Sequence, residues 1–206
     1  MKNFGLYLVM TDPLVGYAKC AEAAVKAGVR IVQLRMKKAS REEILRQGRE
    51  VRSVTAGTDT LFIVNDDPEI ALELGADGVH VGQDDVSPRE IRKRFPEIGI
   101  IGLSTHNLKQ VEKAREEKID YIGVGPVYAT STKEIPDPTL GLDKMRAMIE
   151  LSPCPAVAIG GINCQNARDV VGAGAKNISV VRAVCQSNEP YWEIVKLKQE
   201  FLQVIS

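Results

Sequence analysis

The chain has 206 residues, and its 27 lysines and arginines balance 27 aspartates and glutamates, so the formal net charge at pH 7 is zero. This balance gives no reason to expect binding to nucleic acid or to an anionic membrane surface. A charged fraction of 26% with 17 glycines and 10 prolines excludes the disordered, collagen-like and coiled-coil classes. The length fits one large domain or two small ones.

Eight short apolar runs rich in β-branched residues recur along the chain, and each is followed by an amphipathic stretch. The runs predict strands over residues 6–10, 30–35, 61–64, 78–81, 98–103, 121–124, 156–159 and 178–181. The stretches between and after them predict helices over residues 17–27, 40–55, 68–74, 87–95, 107–118, 142–151, 163–173 and 190–204. Ser40, with Glu43 three residues later, predicts a capping box at the second helix.

Alternating strands and helices are typical of a parallel sheet with helices outside it. Eight such units predict a closed (β/α)₈ TIM barrel as a single domain over residues 1–206. A doubly wound open sheet is the alternative. The first strand is followed by Thr11-Asp12-Pro13 and not by a glycine-rich turn, which argues against that alternative.

No targeting signal is predicted at the start of the sequence, because residues 1–10 hold one lysine and an apolar run too short to span a membrane. The four cysteines, Cys20, Cys154, Cys164 and Cys185, form neither a CxxC pair nor a metal-ligand spacing. We therefore expect buried free thiols in a cytoplasmic protein.

Polar residues at the predicted strand ends are candidates for a site, because the loops after barrel strands carry the chemistry. Gln33, Arg35 and Lys37 alternate along the second strand and its end, so they share one face and can hold a polyanion. A solvated basic loop is the alternative explanation.

Carboxylates follow the third and fourth strands, in Asn65-Asp66-Asp67 and Gln83-Asp84-Asp85. Hard oxygen ligands on neighbouring loops suit Mg²⁺. Helix N-capping by Asp67 and Ser87 is the alternative explanation, but it does not account for the extra carboxylates.

The longest loop follows the sixth strand, where residues 130–133 read Thr-Ser-Thr-Lys, a suitable set for phosphate or pyrophosphate. A flexible surface loop is the alternative. Gly160 and Gly161 follow strand seven, and Val181-Arg182 ends strand eight, where barrels commonly bind phosphate. The two histidines, His80 and His106, are expected to be hydrogen-bonded structural residues.

Taken in order, these segments closely resemble the thiamine-phosphate synthase family from Leu6 to about Pro190. The matching motifs are those at 33–37, 65–67, 80–85, 102–106, 125–133 and 158–162. The resemblance implies a TIM-barrel transferase that uses Mg²⁺. Its reaction condenses 4-amino-2-methyl-5-hydroxymethylpyrimidine pyrophosphate with 4-methyl-5-(2-hydroxyethyl)thiazole phosphate, giving thiamine phosphate and pyrophosphate.

The resemblance also implies a role for each matching residue. The residues that would hold the pyrimidine substrate and its pyrophosphate are Gln33, Arg35, Lys37, Asn65, Ser104 and Lys133. Those that would hold the thiazole phosphate are Thr130, Ser131, Thr132 and the Gly161 backbone. Asp66 and Asp85 would bind Mg²⁺. The candidate catalytic residues are Lys133, Arg35 and Ser104.

One position departs from the family pattern, which ends strand eight with a small residue, often serine. Here Val181 is followed by Arg182, whose guanidinium would either contact the thiazole phosphate or crowd its site. Two alternative functions stay open: a thiazole tautomerase of the same family and a non-catalytic sensor of phosphorylated ligands. The expected partners are phosphorylated small molecules, without nucleic acid or membrane, and a homo-oligomer is left open.

Overall fold

A computed structural model of the chain describes residues 3–130 and 137–205, with side chains as far as residue 201. Within these residues the parallel strands pair in sequence order, and the eighth pairs with the first to close a barrel. The prediction of a closed (β/α)₈ barrel is confirmed, and the doubly wound open sheet is wrong.

The strands that form the barrel wall are short. They are β1 Gly5–Met10, β2 Ile31–Leu34, β3 Leu61–Asn65, β4 Gly78–Val81, β5 Ile100–Thr105, β6 Tyr121–Val124, β7 Ala156–Ile159 and β8 Asn177–Val180. The helices are α1 Tyr17–Lys26, α2 Arg41–Thr55, α3 Pro68–Glu73, α4 Pro88–Arg94, α5 Leu108–Ala114, α6 Gly141–Leu151, α7 Ala167–Gly172, α8 Arg182–Cys185 and α9 Pro190–Ile205.

Successive strand residues point to opposite faces and so enter two apolar clusters. A small inner cluster, which includes Tyr7, Ile31 and Tyr121, lies inside the barrel. A larger cluster, which includes Leu8 and Val32, packs the outer face of the strands against the helices. Burial on both faces explains why the strands read as nearly continuous apolar runs.

The end of the eighth strand differs from its prediction. Strand β8 pairs with β1 up to Leu8–Val180 and with β7 up to Ile159–Ser179, so no partner remains for Val181. The chain turns there, with φ −126° and ψ −86° at Val181, and Arg182 begins the short helix α8. The predicted strand to residue 181 is therefore one residue too long, and α8 was not predicted.

Two helices, α5 and α7, are each five residues shorter than predicted, and one cap is only half formed. Helix α5 ends at Ala114. Helix α7 begins only at Ala167, because the Asn166 side chain closes a turn before it by accepting from the Asn163 N–H at 2.9 Å. Ser40 Oγ accepts from the Glu43 N–H at 3.2 Å, as a capping box requires. The Glu43 carboxylate, however, accepts from Arg46 and Gln47 along the helix.

Among the described helices, none is both long and apolar enough to cross a bilayer. The four cysteines are free thiols: Cys20 and Cys185 are buried, and Cys154 and Cys164 are half-buried. The prediction of free thiols is confirmed, and that of burial is confirmed for Cys20 and Cys185 but wrong for Cys154 and Cys164.

Candidate active site

The carboxyl ends of the strands surround a cavity of about 390 Å³. The predicted site residues that line it are Gln33, Arg35, Lys37, Asn65, Asp66, Asp85, Ser104, Thr130, Gly161, Val181 and Arg182. Ser131, Thr132 and Lys133, also predicted for the site, lie outside the described residues. The fold therefore brings together all the predicted site residues that it describes, while their roles stay predictions.

Four ionisable side chains form what we call the charged mouth of the cavity: Arg35, Lys37, Asp66 and Asp85. Arg35 continues the alternation of β2, and its N–H donates to the Met10 carbonyl at 3.0 Å. Lys37 Nζ forms an ion pair with Asp66 Oδ2. Partial burial lowers the pKa of Arg35, an effect that the nearby Asp66 and Asp12 carboxylates oppose. The mouth thus holds both signs of charge in a partly desolvated place.

The two carboxylates of the charged mouth follow neighbouring strands. Asp66 adopts a left-handed conformation with φ 67°, which aspartate tolerates better than most residues. Its N–H donates to the His80 carbonyl at 2.8 Å. Asp85 Oδ2 accepts from the Gly82 N–H at 2.7 Å. Burial raises the pKa of Asp66, Lys37 lowers it and the Asp85 charge raises it again, so the two carboxylates repel each other.

Deeper in the cavity, five side chains from five strands form a continuous hydrogen-bonded series that we call the floor chain: Gln33, Tyr7, Tyr121, His80 and Ser104. Gln33 Nε2 lies 2.6 Å from the Tyr7 hydroxyl oxygen, which lies 2.9 Å from that of Tyr121. Tyr121 is 2.9 Å from His80 Nδ1, and His80 Nε2 is 2.9 Å from Ser104 Oγ. Every member lines the cavity.

Opposite the charged mouth, the loops after β6 and β7 pack closely together. The N–H groups of Val127 and Tyr128 donate to the carbonyls of Ile159 and Gly160 at 2.9 and 3.1 Å. A Cβ on Gly160 would lie 2.5 Å from Pro126, and one on Gly161 would lie 2.7 Å from the Ala129 carbonyl oxygen. Both glycines also have positive φ. Only glycine therefore permits this close approach of the two loops.

The β8 end of the cavity contains Arg182, which is exposed and is the first residue of α8. Ser179, two residues before Val181, is 2% exposed and lies inside the barrel. Its hydroxyl has no hydrogen-bond partner among residues 3–130 and 137–205. The Ser179 hydroxyl is thus a buried polar group that faces the cavity.

His106 connects the loops after β5 and β6. Its Nδ1 lies 2.6 Å from the Gly125 carbonyl oxygen, and its Nε2 lies 3.6 Å from Asp137 Oδ2. The residue is half-buried, and its backbone N–H donates to Gln110 Oε1 at 2.6 Å. This histidine has the structural hydrogen bonds that the sequence predicts.

A sequence model of the thiamine monophosphate synthase family matches residues 6–184 of this chain. The chain belongs to the thiamine monophosphate synthase family. Thiamine-phosphate synthase of Archaeoglobus fulgidus is 40% identical over 197 residues, which are 93% of this chain and 92% of the relative. That of Chloroflexus aurantiacus is 43% identical over 168 residues, 82% and 77% of the two chains.

The fold agrees with this membership. The solved structure of thiamine phosphate pyrophosphorylase from Pyrococcus furiosus superposes with a TM-score of 0.90 at 30% identity, and covers 100% of this chain and 98% of its own. The resemblance of the motifs to this family is therefore confirmed.

For a thiamine monophosphate synthase family member, the charged mouth is a suitable place for Mg²⁺. The described residues include no group of three or more potential protein ligands such as a zinc site needs. Mg²⁺ commonly takes one or two carboxylates and completes its shell with water and phosphate oxygens. The mutual repulsion of Asp66 and Asp85, which a cation would relieve, fits that ion.

Several cavity residues of this family member were not predicted as site residues: Tyr7, Tyr121, His80 and Ser179. Alternation within β1 and β6 would have placed Tyr7 and Tyr121 inside the barrel. The register that brings their hydroxyls together joins strands 114 residues apart, which no local sequence pattern reveals.

Proposed function

We propose that this chain is a thiamine-phosphate synthase: it joins the hydroxymethylpyrimidine, supplied as its pyrophosphate, to the thiazole phosphate and releases pyrophosphate. Family membership and relatives of about 40% identity support the activity. The single observation that carries the assignment of the site is the charged mouth. Its two cations and two carboxylates stand at the opening of one cavity whose floor is neutral.

The reaction breaks the bond between the pyrimidine methylene carbon and the pyrophosphate oxygen, and pyrophosphate leaves with the electron pair. The amino group of the pyrimidine supplies electron density to the resulting cation. The thiazole nitrogen then donates its lone pair to the methylene carbon and forms the new C–N bond. No proton needs to be removed, so the site requires charge stabilisation and positioning more than a general base.

Arg35 and Lys37 hold the leaving pyrophosphate in this proposal. Arg35 presents a fixed fork of donors suited to phosphate oxygens, and Lys37 presents a mobile point charge. In the structure Lys37 is paired with Asp66, and a bound polyanion competes for that ammonium group. Since charge accumulates on pyrophosphate as the bond breaks, both cations interact more strongly with the transition state than with the substrate.

Asp66 and Asp85 would hold Mg²⁺, which when bound neutralises charge on pyrophosphate oxygens. Asp66 is held there by its backbone hydrogen bond to His80 and Asp85 by its bond from the Gly82 N–H. His80 lies on β4 and Gly82 directly follows it, so both carboxylates are held at the end of one strand and need little rearrangement to share a cation. The side chain of Asn65, the last residue of β3, lines the same cavity and holds the pyrimidine substrate.

The thiazole phosphate binds on the opposite side, against the Gly160-Gly161 turn, Thr130 and the start of α8. Close packing of the loops after β6 and β7 fixes the Gly161 backbone there. Ser131, Thr132 and Lys133 are assigned from the family motif alone. Placing the two phosphorylated substrates on opposite sides of one cavity brings the thiazole nitrogen and the pyrimidine methylene together over the floor chain.

The test is release of inorganic pyrophosphate by the purified full chain with both substrates and Mg²⁺. We expect stoichiometric formation of thiamine phosphate and pyrophosphate, and neither product when the thiazole phosphate is omitted. Conversion of a thiazole carboxylate phosphate without pyrophosphate release would instead indicate the tautomerase. Binding of either phosphorylated compound without turnover would indicate a sensor and overturn the proposed function.

A further inference from the structure

The floor chain runs without a break from Gln33 to Ser104, and its direction decides what it presents to a ligand. A neutral hydroxyl carries one hydrogen, and a neutral imidazole carries one as well. Each of these groups can therefore donate to only one neighbour in the series. Once one bond has a fixed donor, the donors of the others follow from the requirement that every buried hydrogen of the series has an acceptor.

Gln33 fixes the first bond. Its amide nitrogen lies 2.6 Å from the Tyr7 hydroxyl and can only donate. The Tyr7 hydrogen is then given to Tyr121 at 2.9 Å. The Tyr121 hydrogen is in turn given to His80 Nδ1 at 2.9 Å.

The His80 imidazole continues the same donor direction from Tyr121 to Ser104. Because Nδ1 of His80 accepts, the ring hydrogen of the neutral imidazole resides on Nε2. Nε2 therefore donates to Ser104 Oγ at 2.9 Å. The Ser104 oxygen accepts from the histidine, so its own hydrogen is left for a partner in the cavity that Ser104 lines.

Both phenols retain their hydrogen, as this count requires. Burial raises the pKa of Tyr7 and of Tyr121 well above the ordinary value for tyrosine. Neither phenol is ionised near neutral pH, so each keeps one hydrogen, and a buried hydroxyl hydrogen without an acceptor is costly. Within the floor chain, only the direction from Gln33 toward Ser104 gives both phenol hydrogens an acceptor. The series is then a one-way sequence of donors.

The neighbouring wall leaves room for this arrangement. Gly102 on β5 faces the Tyr121–His80 contact, and a Cβ there would lie 2.4 Å from the Tyr121 hydroxyl oxygen and 2.5 Å from His80 Nδ1. The two rings stack with centroids 5.4 Å apart and an interplanar angle of 28°. Any larger residue at position 102 would displace the hydrogen bond at the middle of the floor chain.

We propose that Tyr7, Tyr121 and His80 are positioning residues that hold the Ser104 hydroxyl as a hydrogen-bond donor toward the cavity. Gln33, whose amide nitrogen is used by Tyr7, presents its carbonyl oxygen as an acceptor. On the basis of the proposed function, the ligand is a ring with an acceptor nitrogen for Ser104 and an exocyclic amino donor for Gln33. An analogue with an oxo group in place of the amino group is mismatched at Gln33.

The direction is tested without any substrate by ¹⁵N NMR of the histidine rings in the full chain, with His80 assigned through a His80→Gln variant. The expected wild-type state is a neutral imidazole with its hydrogen on Nε2. Tyr121→Phe removes the hydrogen given to Nδ1 but keeps the ring, so we expect a mixture of tautomers. Hydrogen on Nδ1 in the wild type, or an unchanged tautomer in Tyr121→Phe, overturns the proposal.

A control variant removes a buried hydroxyl that lies outside the floor chain. Thr105 Oγ1 donates to the Gly123 carbonyl at 2.9 Å, one residue from Ser104. Thr105→Val is expected to leave the His80 tautomer unchanged, and a change in this variant would mean that general loosening of the wall controls the ring.

Kinetics separate positioning from a structural role. His80→Gln places an amide donor near the position of Nε2, whereas His80→Asn places it near Nδ1. We expect KM for the pyrimidine substrate to be at least about tenfold higher in His80→Asn than in His80→Gln, with an unchanged KM for the thiazole phosphate. Equal KM values in two folded variants overturn the proposal. If the protein shows no turnover at all, the proposed function fails while the NMR result still decides the direction.

Discussion

The charged mouth and the floor chain differ in charge and in burial within one cavity. The mouth combines Lys37, which is exposed, with the half-buried Asp66 in an ion pair at the rim. The floor chain contains no formal charge on its tyrosines, and Gln33 is only 3% exposed. Charge is tolerated at the rim, where water and counterions screen it, but is costly at depth. The mouth is thus suited to an ionised leaving group and the floor to a neutral ring.

This difference assigns different kinetic consequences to the two regions. In the proposed function, mouth residues interact with charge that develops as pyrophosphate departs, so their loss is expected to lower kcat. In the proposed function, floor residues contact the pyrimidine ring and place it before the bond breaks. Their loss raises KM for the pyrimidine substrate more than it lowers kcat.

The largest effect is expected from removing a carboxylate of the charged mouth. Asp85→Asn or Asp66→Asn takes away a proposed Mg²⁺ ligand, which is worth several kcal/mol of transition-state stabilisation, or at least about 100-fold in kcat. Pyrophosphate release across a Mg²⁺ titration measures this loss. Asp84→Asn is the matched control, because Asp84 is exposed and does not line the cavity. Near-normal activity of both variants at limiting Mg²⁺ would refute the metal assignment.

The next effect concerns the cations. Arg35→Gln keeps a polar side chain but removes the guanidinium charge, and we expect kcat to fall by roughly 10- to 150-fold, equivalent to about 1.5–3 kcal/mol. Lys38→Ala removes an exposed lysine outside the cavity lining and should leave turnover within about twofold of wild type. Single-turnover rates of pyrophosphate release compare the two. Equal losses would mean that overall positive charge, and not the mouth, controls the reaction.

The sequence is sufficient to predict the barrel and most of the charged mouth because both depend on local patterns. Period-two alternation at β2 predicts that Gln33, Arg35 and Lys37 share a face, and all three line the cavity. Asp66 and Asp85 follow strands that are neighbours both in sequence and in the sheet. In a barrel with sequential strand order, residues at successive strand ends must converge.

The floor chain cannot be predicted in the same way, because it depends on depth and register between distant strands. Tyr7 and Tyr121 meet only because the strands close around the barrel and place their rings 5.8 Å apart across its interior. Gly102 gives no sequence signal either, since its small size matters only against the side chains of Tyr121 and His80. Helix α8 was missed because Val181 extends an apolar run while lacking a strand partner.

A smaller effect tests the side of the cavity opposite the charged mouth. If the Arg182 guanidinium contacts the thiazole phosphate, Arg182→Ser raises KM for that substrate by about tenfold or more, as loss of a charge-assisted hydrogen bond implies. The KM for the pyrimidine pyrophosphate is expected to stay within about twofold, since the mouth binds it. Steady-state titration of each substrate gives both values. A lower KM for thiazole phosphate would show instead that Arg182 crowds the site.

The smallest expected effect compares two buried hydroxyls of the barrel in stability alone. The Ser179 hydroxyl has no partner, whereas that of Thr105 donates to Gly123 at 2.9 Å. Ser179→Ala therefore removes an unsatisfied group and is expected to leave the free energy of unfolding unchanged or raise it by up to about 1 kcal/mol. Thr105→Val removes a satisfied hydrogen bond and is expected to lower it by about 1 kcal/mol, a fall in Tm of roughly 2–4 °C. Thermal unfolding without ligands measures both, and a destabilised Ser179→Ala would mean that this hydroxyl already has a partner, such as an ordered water.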